Sequence, residues 1–485
     1  MIRRQSFYIV GLLLIILGLS MLFSVVCSLI YGDGDLIPLL QSIAVTITSG
    51  LILVIFFKSK DKKDLSTHDG FAVVTLGWIA IVIFSAFPFY FSGTLDYTNS
   101  FFEAMSGLTT TGATVLGHSD TLMIEELPHG ILFWRSFTQF IGGMGIIVFS
   151  IAILPMLGMG GVQLFRAEVA GPVADKITPR VKQTAKLLWG IYVGFVLILC
   201  LILKIEGMSW FDAICHSFTT IATSGFSTKN ISIAAYGGLI QWTIIIFMFL
   251  AATNFSLHYY FIAKGKFEYY KDHEFRVYFG LCIIFSILFF INIVGTNKYQ
   301  TDLLSFRHSV FAAVSILTTT GFSTENFNEW PEMSKMLLFF LFFIGGSAGS
   351  TTGGMKIIRS ILVFKYLIYE VRKLLHPKGV FNITIGENTI DDNVVRATLG
   401  FYLFYILIFV FTAIFLSFTG LDVETALTAS ASAIGNIGPG LGSIGPTDNW
   451  GHLSDFAKWL TSFCMLLGRL EIFTVVVLFS RSFWK

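Results

Sequence analysis

Apolar runs long enough to cross a lipid bilayer recur along almost all of this 485-residue chain, and they leave few folds open to it. A spanning helix needs about 20 mainly apolar residues. Runs of that kind lie at roughly 8–30, 37–57, 70–92, 132–157, 187–204, 239–263, 277–295, 336–370, 397–418 and 456–480. With 54% hydrophobic and 13% charged residues, no single soluble core hides so much apolar side chain, whereas lipid accepts it as solvent. The expected class is an all-α integral membrane protein with about ten transmembrane helices. The first run, behind Met1-Ile2-Arg3-Arg4, is too long for a signal-peptide core and reads as a retained first span. Cys27, Cys200, Cys215, Cys282 and Cys464 are scattered, form no C-x-x-C, and read as small packing residues rather than disulfides or metal ligands. A net charge of +2 gives no sign of nucleic-acid binding.

The basic residues orient the spans. Clusters at Lys58, Lys60, Lys62 and Lys63, at Arg166–Lys186, at Lys264–Arg276 and at Lys356–Lys378 join Arg3, Arg4, Arg396, Arg481 and Lys485 on one side, 24 of the 32 Lys and Arg residues. Lys204, Lys229, Lys298, Arg307 and Lys335 fall on the other. By the positive-inside rule both termini are cytoplasmic.

Four of the opposite loops do not read as solvated connections. Each carries a short helix-like run that breaks at a Thr/Ser-Gly or Asn-Ile-Gly step: Ser100 to Gly112, Trp210 to Gly225, Leu303 to Gly321, and Glu424 to Gly438. The four glycines are 113, 96 and 117 residues apart, an internal repeat of about 110 residues. One Thr-x-Gly is as well explained by a solvated turn; four at the same place in a span–short helix–T-x-G–span unit are not. Non-helical backbone at membrane depth survives only where protein buries it or it lines a watery path. Glycine admits positive φ, so that successive carbonyls point the same way, and four such strands around an axis make oxygen rings that replace a cation's hydration shell. Each short helix directs its negative C-terminal end at that axis, while Asp96, Asp212, Asp302, and Asp422 with Glu424 lie at the opposite ends, as caps or as a means of concentrating cations at the mouth.

These loops, together with Gln139-Phe-Ile-Gly-Gly-Met-Gly145, Gly160–Glu168 with Gly171-Pro172, Gly345–Lys356, Gly435–Gly442 and Gly468-Arg-Leu-Glu471, resemble the TrkH/KtrB/HKT superfamily of K⁺ transport proteins over the whole chain, most of all its TrkH branch. The resemblance implies two leading helices in 1–66 and four repeats at 67–182, 183–270, 271–385 and 386–485, each a span–pore helix–filter strand–span unit in pseudo-fourfold order. It places K⁺ as the transported ion, with no cofactor in the chain, at Thr110, Thr111, Gly112; Thr223, Ser224, Gly225; Thr319, Thr320, Gly321; and Asn436, Ile437, Gly438. Glycine at all four key positions resembles the K⁺-selective members. It further implies a multi-pass inner (plasma) membrane protein, a homodimer, and a cytosolic nucleotide-binding regulatory subunit of the TrkA kind, since the chain carries no nucleotide-binding domain of its own.

The run at 336–370 is too long for one ordinary span at about 1.5 Å per residue. Its middle, residues 345–354, holds five glycines with Ser347, Ser350, Thr351 and Thr352, a helix-breaking composition. It reads either as a kink packed through small residues or, as the resemblance implies, as an intramembrane gating loop of Gly345, Gly346, Ser347, Gly349, Thr351, Thr352, Gly353 and Gly354. Arg469, a charge inside the last span, is a functional candidate by its position; facing this loop it sets a barrier to cations, and a structural ion pair is the other reading. Glu471 is poorly spaced to pair with it on a helix.

Two phosphate-loop look-alikes lack context: Gly440–Gly445 opens no βαβ unit, and Met355 stands where Gly349–Gly354 would need lysine. His118, His216, His258, His308 and His452 have no metal-ligand spacing. An enzyme would need a catalytic cluster within the membrane, which the sequence does not offer. The alternative function is a secondary transporter coupling K⁺ or Na⁺ to H⁺, which would call for buried carboxylates along the route; within the predicted spans Glu471 is the clearest acid.

Overall fold

The computed structural model describes residues 4–58, 67–117, 123–152, 181–296, 298–299, 301–386 and 388–484. The Gly160–Glu168 and Gly171-Pro172 motifs, His118, Arg3, Lys60, Lys62, Lys63, Arg166, Lys176, Arg180 and Lys485 lie outside the described residues.

The chain is helical almost throughout, as the long apolar runs require. Helices α1 (Arg4–Ser20) and α2 (Leu22–Tyr31) form one span, and α3 (Leu36–Phe57) returns beside α1. Gly11 and Gly50 meet there: a Cβ on either would lie 2.8 Å from the other's carbonyl oxygen, so the backbones approach as only small residues permit. Next come α4 (Thr67–Ser85), α5 (Phe87–Phe91), α6 (Tyr97–Leu108) and α7 (His129–Ala152). The link between α2 and α3 fastens the leading pair to α7: Asp33 accepts from His129 N at 2.8 Å and Asp35 from Ile131 N at 3.0 Å, satisfying amides a helix start leaves open.

Helices α8 (Val181–Ile205), α9 (Trp210–Ile221), α10 (Gly238–Ala251) and α11 (Phe255–Lys264) follow, then α12 (His273–Val294), α13 (Asp302–Leu317), α14 (Glu332–Leu341) and α15 (Ile357–Leu375). A two-strand hairpin, β1 (Thr384–Ile385) with β2 (Asn388–Thr389), precedes α16 (Asp392–Phe418), α17 (Val423–Gly435), α18 (Asp455–Arg469), α19 (Phe473–Val476) and the terminal turn α20 (Arg481–Trp484).

Among the described residues six helical stretches are straight, long and apolar enough to span. The runs at 239–263 and 456–480, expected as single spans, are bent pairs: α10 and α11 meet at 96°, and α18 runs into the segment from Phe473 to Phe479 at 109°. Asn254 makes the first bend by capping a new helix, its side chain accepting from Ser256 N at 2.8 Å. At the second, Glu471 and Ile472 take φ of 56° and 40°, which no α-helix tolerates. The run at 132–157 folds over its described residues, to Ala152, as part of α7, and that at 336–370 is α14 and α15 separated by the non-helical residues 342–356.

The straight spans bury only 28–50% of their apolar windows, leaving wide apolar flanks to face lipid. The short helices are the opposite: every residue from Ser100 to Leu108 in α6, and from Ala429 to Gly435 in α17, is buried. Protein, not lipid, surrounds them.

Candidate functional site

The four short helices α6, α9, α13 and α17 start and stop alike. Asp96 and Asp422 cap the first and last with their own carboxylates, at Asn99 N (2.7 Å) and Thr425 N (3.0 Å). Ser209 and Thr301 cap the other two, with Asp212 and Asp302 in their first turns, where a negative charge meets the positive helix end.

Each then ends in the same pair of hydrogen bonds. Thr110, Thr223, Thr319 and Asn436 donate to the carbonyls of Gly107, Thr220, Ile316 and Ala433, at 3.0–3.4 Å; Thr111, Ser224, Thr320 and Ile437 donate to those of Ser106, Thr219, Ser315 and Ser432, at 2.9–3.0 Å. This is a Schellman close, whose left-handed residue is usually glycine. Here it is Thr110, Thr223, Thr319 and Asn436, at φ of 50–54°. A non-glycine residue there costs about 1–2 kcal/mol, and the same strain recurs four times. Two residues on, Gly112, Gly225, Gly321 and Gly438 are left-handed again, at 82°, 78°, 77° and 105°.

The four glycines close a ring. A Cβ on Gly112 would lie 1.9 Å from Ser224 O, on Gly225 2.1 Å from Thr320 O, on Gly321 2.0 Å from Ile437 O, and on Gly438 2.7 Å from Thr111 O. Each glycine thus abuts the carbonyl just before the glycine of the next segment, and the fourth returns to the first. Only a residue without a Cβ fits.

Buried side chains brace this ring. Gln139 of α7 donates to Ser224 O (3.0 Å) and accepts from Ser224 Oγ (2.7 Å) and Phe226 N (3.1 Å). The Arg135 guanidinium donates to Glu103 Oε1 and Ser227 O, both at 2.7 Å, and lies over the Phe226 ring. Glu103 in turn accepts from Thr114 Oγ1 (2.8 Å) and Val115 N (3.0 Å). One buried ion pair therefore fastens the first segment's continuation to the second's. Asn436 Nδ2 donates to Thr111 Oγ1 (3.0 Å) and Met465 O (2.9 Å), joining the fourth segment to the first, and Trp450 Nε1 donates to Gly438 O (3.2 Å). The pair Glu103–Arg135 went unread in the sequence, although Arg135 is a charge inside an apolar run.

On the glycine side the ring opens into a cavity lined by Gly112, Gly225, Gly321 and Gly438 with Lys229 and Asp448. On the helix side the non-helical residues 342–356 lie against it. Thr223 Oγ1 donates to Thr351 Oγ1 (3.1 Å), which donates to Ile221 O (3.0 Å); Gly353 N donates to Thr319 Oγ1 (2.8 Å). A Cβ on Gly353 would lie 2.4 Å from Gly435 O, and one on Gly345 2.3 Å from Gly353 O, so these glycines admit close contact. Gly346 and Gly349 approach the first bend, where Ser347 N donates to Ala252 O (2.9 Å) and Phe255 N to Gly349 O (3.1 Å). Thr352 takes bonds from the Lys356 ammonium, and Gly354 turns the chain at φ 68°.

Arg469 is 2% exposed and donates to Thr351 O at 2.8 Å and Gly142 O at 3.2 Å. Among the described residues no carboxylate pairs with it; Glu471 pairs instead with Arg359, at 2.7 Å. The loop thus touches both bends. Three of the histidines are buried and hydrogen-bonded within the protein: His216 to Asp212 O and Ser227 Oγ, His258 to Tyr269 Oη and Leu250 O, and His308 to Thr324 Oγ1; His452 is exposed and bonds Ser443 Oγ.

Together these features define a multi-pass helical membrane protein built around a ring of four backbone segments with an internal loop set against one face. The chain belongs to the TrkH family of cation transport proteins, whose model matches residues 39–485. It is 40% identical over 489 residues to the Trk system potassium uptake protein TrkH of Vibrio parahaemolyticus, covering 99% of each chain, and 35% identical to the Trk system potassium uptake protein TrkG of Escherichia coli K12, again covering 99% of each. The crystal structure of the potassium transporter TrkH from Vibrio parahaemolyticus superposes with a TM-score of 0.90 at 38% identity over 99% of both chains.

Proposed function

We propose that this chain is the K⁺-conducting membrane subunit of a Trk-type uptake system in the inner membrane. K⁺, or Rb⁺, sheds its water and passes through the ring, where Thr110–Gly112, Thr223–Gly225, Thr319–Gly321 and Asn436–Gly438 offer backbone carbonyls in place of hydration. The observation that carries this reading is the cyclic packing of the four glycines on each other's carbonyls. The alternation of positive and negative φ along each segment supports it, because it turns successive carbonyls to one side. The short helices are pore helices, their negative ends at the ring.

The chain is organised as two leading helices in 1–66 and four repeats at 67–182, 183–270, 271–385 and 386–485, a reading supported by the four short helices that start and close alike. The loop 345–354 is the gate: it fills the space under the ring, and Arg469 holds it by Thr351 O with a positive charge on the ion's route. Both termini are cytoplasmic by the distribution of Lys and Arg. The relatives' names place them in Trk systems, which supports a TrkA-like regulatory partner, and the membrane subunit works as a homodimer.

The test is ⁸⁶Rb⁺ uptake into proteoliposomes holding the purified chain, competed by K⁺ and by Na⁺, with and without a pH gradient. Uptake blocked by K⁺, spared by Na⁺ and indifferent to the gradient is expected. Uptake that requires the proton gradient overturns the channel reading in favour of coupled transport.

A further inference from the structure

We infer that Glu274 is the positioning residue that clasps the loop shut. This rests on the reading of residues 345–354 as the gate and names what holds it. Glu274 stands in the first turn of α12, where an acid ordinarily answers the helix's own open amides. That task is already done by Asp272, whose carboxylate accepts from Phe275 N at 2.6 Å. Glu274 instead turns away from its helix and is 3% exposed. Its Oε1 accepts from Ala348 N at 2.9 Å and from Ile358 N at 3.0 Å.

These two amides lie on opposite limbs of the loop. Ala348 is on the way in, and Ile358 is in the first turn of α15, on the way out. One carboxylate oxygen therefore joins both limbs, above a base that the backbone also ties through Gly345 N to Met355 O (2.8 Å) and Ile357 N to Gly346 O (3.2 Å). Ala348, Ile358 and Leu362 pack with Ile383, Ile385, Ile390, Val394 and Val395, so apolar side chains pack beside the clasp. Bonds to a charged acceptor in such surroundings are about twice as strong as neutral ones. The loop cannot leave the ring with its base pinned, because the limbs must part for Thr351 and Gly353 to withdraw. Opening breaks at least one of the two bonds.

Removing the clasp shifts the gate toward open and leaves the ring untouched. The experiment records single channels of Glu274→Ala and Glu274→Gln in planar bilayers, in the full chain and after deletion of residues 346–353. Loss of two such bonds raises open probability roughly tenfold or more in Glu274→Ala. Unit conductance and K⁺/Na⁺ selectivity stay at the parent's values. Glu274→Gln, whose amide oxygen still accepts from both limbs, falls between, and this partial rescue separates the clasp from a general loss of packing. In the loop-deleted protein Glu274→Ala adds nothing. If loop deletion raises open probability while Glu274→Ala and Glu274→Gln do not, the clasp is wrong and the gate stands. If loop deletion itself changes nothing, the gate is wrong. Altered conductance or selectivity in the Glu274 variants also overturns the clasp, since it places Glu274 on the ion's path.

Discussion

Gly112→Ser tests the ring at its tightest contact. The new Cβ would lie 1.9 Å from Ser224 O and 3.0 Å from Ser224 C, and these are backbone atoms that cannot rotate away. Ordinary contact needs about 3.5 Å, so the second segment must retreat by on the order of 1 Å. Overpacking of this kind costs about 1–3 kcal/mol, and a non-glycine residue at positive φ about 1–2 more. That is within what a folded membrane protein survives, but a carbonyl displaced by on the order of 1 Å no longer matches a dehydrated K⁺. A loss of 1.4 kcal/mol in K⁺ over Na⁺ preference is about tenfold in ratio, and at least that is expected from bi-ionic reversal potentials. Gly112→Ala carries the same Cβ and must do the same, which separates the clash from the serine hydroxyl. Gly438 has more room, at 2.7 Å from Thr111 O, but sits at φ 105°; its replacement strains its own backbone more than it pushes its neighbour. A reconstituted Gly112→Ser protein with the parent's K⁺/Na⁺ ratio refutes the reasoning.

Three further outcomes follow from the same contacts. Deleting residues 345–354 raises basal ⁸⁶Rb⁺ uptake, and a folded product with unchanged flux removes the gate. Arg469→Ala frees Thr351 O and Gly142 O and takes a fixed charge off the route, so flux rises by roughly tenfold or more, with Arg469→Lys intermediate; lowered flux contradicts the barrier. Glu103→Ala strands the buried Arg135 guanidinium at a cost of about 3–5 kcal/mol, seen as a lower Tm in detergent together with weakened selectivity, and an unshifted Tm rules out the brace.

What the sequence made legible was whatever a local pattern encodes. The spans announce themselves by hydropathy, and the Thr/Ser-Gly steps by recurrence after four short helical runs. Glycine's tolerance of positive φ was readable at Gly112, Gly225, Gly321 and Gly438. The second reason for those glycines was not, because the carbonyl each one meets belongs to another segment, roughly a hundred residues on for the first three and back at the first segment for Gly438. The break at 345–354 showed through its five glycines. The bends at 252–254 and 470–472 did not: Asn254 caps a helix from inside an apolar run, and Glu471 and Ile472 turn left-handed without a glycine between them. Charges were hardest. Arg469 stood out deep in the last apolar run, while Arg135 sits close to the start of its run and Glu103 and Glu274 lie outside the runs, where a polar residue is unremarkable until its partner across the fold is known.

The most direct measurement is the position of the ion itself. Crystals grown in Rb⁺ and measured at the rubidium absorption edge locate the cation by anomalous scattering. The ring predicts density on its axis, shared among the carbonyls of Thr111, Ser224, Thr320 and Ile437, which excess K⁺ displaces and excess Na⁺ does not. Rubidium density elsewhere in the membrane-spanning core, with none on that axis, would contradict it.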